Sequence, residues 1–316
     1  MRCVAYFKSG LGNFINAIPA FMMLADMDDR GQIDVVLDED WTQDPRVPAI
    51  KELAEKSYYI KNILYWPDVD FDQYDRFFIP VQCEQSKAAR EMIRRNKEKG
   101  CINGYTWPNA VWRETYLHEI DVNIENIRVL GYIGKTPILP FIPLAKGPLI
   151  GYHLPMQRPF FFGFCNGAFQ AKFWEKKKWP YFAKLAILLK NYYKGCKIIG
   201  IGGPNELNEC NLDLDYTGKL TITETAKVIS QLDYFITTDT GCMHIADALK
   251  IKGLALFGPT LISKNGPVYG TMNAVKKDLP CAPCQEGEGF YTCNAYACMD
   301  MLSVDLVISR IIQEDI

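Results

Sequence analysis

Apolar residues in the second half of the chain alternate between short β-branched runs and stretches with helical spacing. The clearest example is 234–260, where YFITT predicts a buried strand, DTG interrupts the pattern, and apolar residues then recur at helical intervals over 243–249. A further apolar run, 253–257, predicts a strand that ends at GPT. This strand–turn–helix–strand order is typical of α/β proteins with open parallel sheets, which bind ligands at the carboxyl ends of their strands.

The first half begins with the same alternation. Residues 2–7 predict a strand, the turn KSGLGN follows, and helical periodicity runs over 14–24. Another strand is predicted over 33–37, directly before Asp38-Glu39-Asp40. Gly10 and Gly12 would let the backbone approach a ligand closely and permit positive φ, but a lone Gly-x-Gly is equally consistent with a simple tight turn.

A proline-rich segment separates the two halves. Prolines at 137, 140, 143 and 148 deny this segment regular structure, so it predicts a linker between an N-terminal domain, 1–145, and a C-terminal domain, 146–316. After the linker the α/β pattern resumes, with strands predicted over 149–153 and 197–201. Helices are predicted over 180–193 and 223–231, the second begun by a capping arrangement between Thr221 and Glu224.

Composition narrows the class of protein. The chain has 316 residues, 48% of them hydrophobic, and a net charge of −2, so no global field favours nucleic acid or an anionic membrane. Lys8, Asn13 and Asn16 interrupt the apolar N-terminus, and no apolar run reaches the roughly 18 residues that a membrane helix requires. The 11 cysteines, an odd total, favour a reducing compartment over a disulfide scaffold. A cytoplasmic protein is expected.

Two local features leave alternatives open. The helix predicted over Lys87–Lys99 carries six basic and two acidic residues, which suits either a solvated face or a patch that meets an acidic acceptor. Near the C-terminus, four cysteines could hold zinc, form a disulfide or redox pair, or remain free thiols: Cys281, Cys284, Cys293 and Cys298.

Several segments together resemble one family. In order they are GLGNFINAIPAFMML, KKWPYFAKLAILL, IIGIGGPNE, YTGKLTITETAKVISQLDYFITTDTGCMHIADAL, LALFGPT and a terminal CAPC…C…CM. This order is similar to glycosyltransferase family 9, the family of the ADP-heptose:lipopolysaccharide heptosyltransferases. The resemblance is strong over 172–260, good over 1–25 and weak over 30–145, where acceptor-binding surfaces vary most.

The resemblance implies a GT-B fold, in which two Rossmann-like domains face each other across a cleft. The acceptor would bind mostly to the N-terminal domain and the nucleotide-sugar donor to the C-terminal one, with the terminal helix, 304–313, near the domain junction. No metal or cofactor is implied, because cations and helix termini neutralise the leaving diphosphate.

The family's donor-binding residues map onto the second half of this chain. Lys177 matches a lysine that contacts the diphosphate, where an ammonium would stabilise charge growing on the leaving group. Glu206 matches an acidic residue that binds the ribose hydroxyls. The most distinctive motif spans residues 239–244, whose backbone N–H groups would point at phosphate: Asp239, Thr240, Gly241, Cys242, Met243 and His244.

Each of these assignments has a simpler alternative. Lys177 could be a solvent lysine in the run 176–178, Glu206 an acid at a helix N-terminus, and Asp239 a helix cap. His244 could be a structural histidine.

Asn13 departs from the family pattern. The resemblance predicts an aspartate as general base directly after Gly-x-Gly, and an amide cannot accept the proton of an acceptor hydroxyl. Asn13 could still orient a hydroxyl. Other candidates for the base are Asp38, Glu39, Asp40 and His153; the acceptor could also need little deprotonation, or activity could be lost.

The expected function is that of an inverting glycosyltransferase. It would move a sugar, such as heptose, from an ADP- or UDP-linked donor to an acidic saccharide such as lipopolysaccharide core, at the inner membrane face. Alternatives are transfer to a modified DNA base, as in some bacteriophage enzymes, a non-catalytic sugar-nucleotide-binding homologue, and a sugar-nucleotide epimerase.

Overall fold

The structure is a computed structural model that describes residues 1–83, 86–98, 117–147, 158–168, 172–285, 287 and 289–314. The chain divides into two compact units, Met1–Pro143 and Leu144–Ile316. Within the described ranges, no helix combines the length and the apolar character that a bilayer crossing requires.

The first unit is built on a four-stranded parallel sheet of order β3-β2-β1-β4. The strands are β1 (Cys3–Tyr6), β2 (Ile33–Asp38), β3 (Ile60–Trp66) and β4 (Arg76–Phe78). Every residue of β1 and β2 is buried, as expected for central strands covered on both faces.

Helices cover this sheet. They are α1 (Leu11–Met27), α2 (Val47–Glu55), α3 (Lys87–Glu98) and α4 (Glu119–Val129), with short 3₁₀ turns at Glu39–Trp41 and Phe71–Gln73. Helix α1 follows β1 almost directly and packs extensively on α4. Aromatic rings of α1 and the sheet fill the core between them, with Phe14 5.1 Å from Phe7 and Phe21 6.0 Å from Phe78 between ring centroids.

The second unit contains a six-stranded parallel sheet of order β10-β9-β8-β5-β6-β7. The strands are β5 (Phe161–Cys165), β6 (Lys197–Gly200), β7 (Leu214–Asp215), β8 (Tyr234–Thr238), β9 (Gly253–Phe257) and β10 (Met272–Lys276). Strands β5, β8 and β9 are buried throughout, because neighbours flank them on both sides and helices cover their faces.

The helices of the second unit connect these strands. They are α5 (Phe182–Tyr192), α6 (Ile222–Ile229), α7 (Gly241–Ala248), α8 (Ile262–Asn265), α9 (Gly289–Thr292), α10 (Ala297–Asp300) and α11 (Val304–Gln313), with a 3₁₀ segment at Lys172–Lys177. The capping arrangement predicted at α6 is present: Thr221 Oγ1 accepts from the Glu224 N–H at 3.4 Å, and Glu224 Oε2 accepts from the Thr221 N–H at 2.8 Å.

The predicted elements are confirmed where the structure describes them, within a few residues at each end. The strand predicted over 149–153 lies outside the described residues. Three strands of the second sheet, β5, β7 and β10, were not predicted, although β5 occupies the centre of the sheet.

Candidate functional site

Polar and glycine residues collect at the carboxyl edge of the second sheet. Asn166 and Gly167 follow β5, Gly202 and Gly203 follow the end of β6, and Asp239 follows β8. Because β6, β5 and β8 are adjacent and parallel, these three loops meet at one edge. The predicted donor residues of the second half are therefore brought to a common place.

Lys177 and Asp239 form a buried ion pair at this edge. Lys177 Nζ lies 2.8 Å from Asp239 Oδ2, and the two side chains are only 13% and 9% exposed. The ammonium also lies 4.8 Å from the centroid of the Trp174 ring. Lys177 is therefore not a solvent lysine, unlike its neighbour Lys178, which pairs with Glu175 at the surface.

The electrostatic balance keeps Asp239 ionised. Burial opposes the charged form, but the Lys177 ammonium, His244 and the hydrogen bond from Lys177 outweigh it, so the pKa of Asp239 is lowered from 3.8. Because the buried carboxyl group stays ionised, it holds the Lys177 ammonium in place and does not take a proton from it. The pair therefore supplies a positioned cation at the edge of the sheet.

Trp179 explains why Lys177 reaches this position. Its indole is fully buried and donates from Nε1 to the carbonyl of Leu302 at 2.8 Å. Its backbone N–H donates to Asn166 Oδ1 at 2.8 Å, and Asn166 Nδ2 donates to its carbonyl at 3.0 Å. The side chain that follows β5 thus fixes the chain two residues after Lys177. Sequence reasoning did not single out Asn166, although Asn-Gly after an apolar run is a recognisable loop signal.

The N-terminus of α7 lies beside the ion pair. Thr240, not Asp239, is the N-cap residue: its hydroxyl accepts from the Met243 N–H at 3.4 Å. The alternative that Asp239 serves only as a cap is therefore wrong. The cap occupies the N–H of Met243, whereas in the described part of the chain the N–H groups of Gly241 and Cys242 donate to no acceptor. These two amides form the donor pair that a helix N-terminus offers to an anion.

The side chains of Glu206 and Thr240 both approach Gly167. A Cβ placed on Gly167 would be 3.1 and 3.2 Å from the two Glu206 carboxylate oxygens and 3.3 Å from Thr240 Cγ2. Gly202, with φ of +122°, and Gly203 enclose the same carboxylate, and a side chain on Gly202 would collide with it. The glycines therefore make room for an acid beside α7.

The Glu206 carboxylate carries an unused acceptor. Among the described residues, its buried Oε2 atom has no hydrogen-bond partner. Burial raises the pKa of Glu206 from 4.5, against a hydrogen bond from Gly203 and the charge of Lys178. Residues 203–213 form turns rather than a helix, so Glu206 is not an acid at a helix N-terminus. A partner that donates hydrogen bonds would remove the cost of burying this oxygen.

The remaining residues of the 239–244 motif are buried. Met243 is fully buried, and His244 is 7% exposed and close enough to Asp239 to lower the pKa of that carboxyl. Cys242 contacts Cys165, and this contact together with burial raises its pKa well above 9.0. The thiol of Cys242 therefore remains protonated and uncharged.

In the first unit, the Gly-x-Gly segment begins a helix instead of forming an open loop. Gly10 is the N-cap of α1 with φ of −75°, and Gly12 lies in its first turn, so the positive φ considered for these glycines is absent. Asn13 consequently projects from the first turn of α1. Its side chain contacts Ser9 and Glu119 of the same unit.

The carboxylates considered as alternative bases have different surroundings. Asp38 is buried and accepts from Lys8 Nζ at 3.3 Å and from the Tyr6 hydroxyl at 2.9 Å. Asp40 also pairs with Lys8 but is largely exposed, and Glu39 is exposed on a 3₁₀ turn. His153 lies outside the described residues.

The two features left open by the sequence are also placed. In α3, Arg94 and Arg95 pair with acids of the same helix and with Asp72, so part of the positive charge of this helix is compensated.

The four C-terminal cysteines carry free thiols. Among the described residues, which include all four, no group of three or more histidines, cysteines or acids is arranged to hold a metal ion.

The second unit is therefore an α/β fold in which the Lys177 ammonium, the first N–H groups of α7 and the Glu206 carboxylate are gathered at one edge of the sheet. The family model of glycosyltransferase family 9 (heptosyltransferase) matches residues 105–293, more than half of the chain. The chain belongs to glycosyltransferase family 9, as the sequence motifs predicted.

Individual relatives support the assignment to this family. A lipooligosaccharide heptosyltransferase 2 of Campylobacter jejuni is 34% identical over 157 residues, which cover 45% of this chain and 48% of that protein. A protein with the same description from Haemophilus influenzae is 34% identical over 112 residues, 31% of each chain. The chain spans at most about half the length of the curated relatives it matches.

A solved structure confirms the predicted GT-B fold class. The Escherichia coli ADP-heptose lipopolysaccharide heptosyltransferase II is similar over 100% of both chains, with a TM-score of 0.64 and 15% identity. At this identity the likeness concerns the fold.

Proposed function

We propose that this protein is an inverting glycosyltransferase whose second unit binds a nucleotide-diphosphate sugar. The observation that carries the proposal is the Lys177–Asp239 ion pair, buried beside the capped N-terminus of α7. The Lys177 ammonium, whose charge Asp239 largely balances, and two helix N–H groups that donate to no acceptor among the described residues bring hydrogen-bond donors for an anion to one edge of the sheet. A diphosphate has the charge and the acceptor oxygens that match them.

Glu206 supports a nucleoside next to that diphosphate. A carboxylate is the natural acceptor for the vicinal hydroxyls of a ribose. The buried Oε2 of Glu206 has an unused acceptor position among the described residues, and its carboxylate and Thr240 both approach Gly167. One ligand that reaches from α7 to Glu206 would therefore satisfy the helix amides with phosphate and the carboxylate with hydroxyls.

The names of the relatives support the class of substrate. Those relatives are lipooligosaccharide heptosyltransferases, and one E. coli heptosyltransferase of similar fold was solved with ADP. We therefore favour ADP-heptose as the donor and a lipopolysaccharide-type saccharide as the acceptor, with the protein in the cytoplasm at the inner membrane face. The partial charge compensation on α3 gives a DNA acceptor less support.

Transfer would occur in one displacement. The acceptor oxygen attacks the anomeric carbon and forms the new glycosidic bond, the bond from that carbon to the diphosphate oxygen breaks, and its electron pair leaves with the diphosphate. The hydroxyl proton is released to water. Lys177 and the amides of Gly241 and Cys242 would stabilise the charge that grows on the diphosphate, so the proposal includes no metal and no cofactor.

Binding of ADP tests this donor site. Lys177→Ala should lower ADP affinity about tenfold or more, as expected for loss of a charge-assisted contact. The matched control is Lys190→Ala, which removes an ion pair of 2.9 Å between Lys190 Nζ and Asp213 Oδ2. This pair lies at the opposite edge of the sheet, because Asp213 accepts from the N–H of Ile198 near the start of β6. Equal ADP affinity in wild type and Lys177→Ala, measured by titration calorimetry, would remove the donor site from this edge.

Product analysis then separates the functions. Wild-type protein incubated with ADP-heptose and a truncated lipopolysaccharide should release ADP and extend the saccharide. Conversion of the donor without acceptor would indicate an epimerase, and tight ADP-heptose binding without turnover would indicate a non-catalytic homologue.

A further inference from the structure

A buried carboxylate of α4 faces the first turn of α1. Glu119 is 0% exposed, and both of its oxygens accept from Asn13 Nδ2, at 3.0 and 3.1 Å. Its Oε2 also accepts from Asn16 Nδ2 at 3.3 Å. The negative charge that is absent from position 13 therefore lies one hydrogen bond away, on another helix of the same unit.

These contacts determine which way the Asn13 amide points. An ionised carboxylate can only accept hydrogen bonds, so the NH₂ group of Asn13 must face Glu119. The carbonyl oxygen of the amide must then face the opposite side, where the Ser9 hydroxyl donates to Oδ1 at 3.1 Å. Gly10 leaves the space that this requires, since a Cβ there would be 3.1 Å from Oδ1.

The ionised form of Glu119 fits its surroundings. Its oxygens accept hydrogen bonds from Asn13 Nδ2 and Asn16 Nδ2, and hydrogen bonds of this kind favour the charged form of a carboxyl group. Glu119 also occupies the first turn of α4, where the helix dipole favours a negative charge.

Burial of this charge is costly for stability alone. An apolar residue of similar volume is often at least as stable as a buried charged group. Asn13 is half-buried, whereas Glu119 is fully buried, so a ligand at this turn would meet Asn13 and not Glu119. The buried charge of Glu119 therefore orients the amide of Asn13, which a ligand can reach.

We propose that Glu119 is a positioning residue, which holds Asn13 so that its carbonyl oxygen accepts a hydrogen bond from the acceptor hydroxyl. This inference rests on the proposed glycosyl transfer. Asn13 would orient the hydroxyl oxygen for attack, and the charge of Glu119 would prevent the amide from turning its NH₂ group toward the acceptor. Neither residue takes the proton.

The test is a charge exchange between the two positions. Glu119→Gln lets the Asn13 amide adopt either orientation, and kcat for transfer from ADP-heptose to a truncated lipopolysaccharide should fall about tenfold or more. Asn13→Asp alone should also lose activity, because two carboxylates about 3 Å apart cannot both stay ionised without strain. The double variant Asn13→Asp/Glu119→Gln restores one carboxylate and one amide with their hydrogen bond reversed, and it should regain most of the lost kcat.

Controls distinguish a positioning role from a structural one. Glu125→Gln changes an exposed acid of the same helix, whose partner is Arg128, and should leave kcat unchanged. ADP affinity should remain at the wild-type value in every variant, since the donor residues lie in the other unit. If Glu119→Gln does not fold, the double variant alone decides, because it keeps the hydrogen bond.

Two results would overturn the inference while leaving the proposed function intact. One is wild-type kcat in folded Glu119→Gln, and the other is a double variant no more active than the worse single variant. Absence of transfer by the wild-type protein would instead refute the proposed function itself.

Discussion

Removal of the Lys177 ammonium should expose the cost of burying Asp239. Lys177→Met keeps most of the side-chain volume but leaves the carboxylate without its partner at 2.8 Å, in a position where the Asp239 side chain is 9% exposed. Removing one partner of a buried ion pair costs about 3–5 kcal/mol, because the remaining charge is uncompensated. We expect a loss of unfolding free energy in this range at pH 7.

The loss should depend on pH in a defined direction. In the wild type the pKa of Asp239 is lowered from 3.8, so the pair stabilises the fold above that value and this stabilisation fades only as the pH falls through the lowered pKa. In Lys177→Met burial dominates and raises the pKa of Asp239, so the carboxyl takes up a proton as the pH falls. The difference between the two proteins should therefore be largest at pH 7–8 and shrink toward about pH 4.

Urea unfolding measured at several pH values between 4 and 8 gives this difference. Unfolding is followed by tryptophan fluorescence, and where the curve shows more than one transition, each is fitted on its own. Lys190→Met is the control, since Asp213 keeps Lys197 as a second partner and the pair is partly exposed. It should cost at most about 1 kcal/mol. A penalty for Lys177→Met that equals the control, or that is unchanged between pH 4 and 8, would refute the reasoning.

Three further substitutions test other contacts of the second unit. Glu206→Gln removes a carboxylate whose pKa is raised by burial. It should therefore stabilise the ligand-free protein at pH 7 but not near pH 4.5, which urea unfolding measures. The same change should weaken ADP binding, which titration calorimetry measures. Gly253→Ala would drive a Cβ into the carbonyl oxygen of Phe235 in the neighbouring strand and should lower the urea midpoint, at a cost of about 1–3 kcal/mol. Thr221→Ala removes the cap of α6 and should cost about 1 kcal/mol in the same assay, whereas a cost near zero would show that the capping box contributes nothing.

Local patterns in the sequence were sufficient for most elements. Strand β8, helix α7 and strand β9 follow from a change of apolar spacing, and the capping box of α6 follows from Thr221 and Glu224, because each signal lies within a few residues. Strand β5 was missed although FFFGFC is a short apolar run bounded by Pro159 and Asn166. Its central position depends on pairing with β6 and β8, which are distant in sequence.

The donor residues were named by motif, but their contacts were not. No local pattern shows that Lys177 pairs with Asp239, that Thr240 rather than Asp239 caps α7, or that Thr240 and Glu206 both approach Gly167. Each contact joins loops that follow different strands.

Glu119 shows the same limit most clearly. In the sequence it is one acid in the first turn of a helix, a position where acids usually face solvent and interact with the dipole. Only the packing of α4 against α1 buries it and places it against Asn13. The sequence by itself determined the elements and the residue types at the site, because periodicity and capping are local. The tertiary structure alone decided which charges meet, because burial and ion pairing depend on residues that the chain brings together only when it folds.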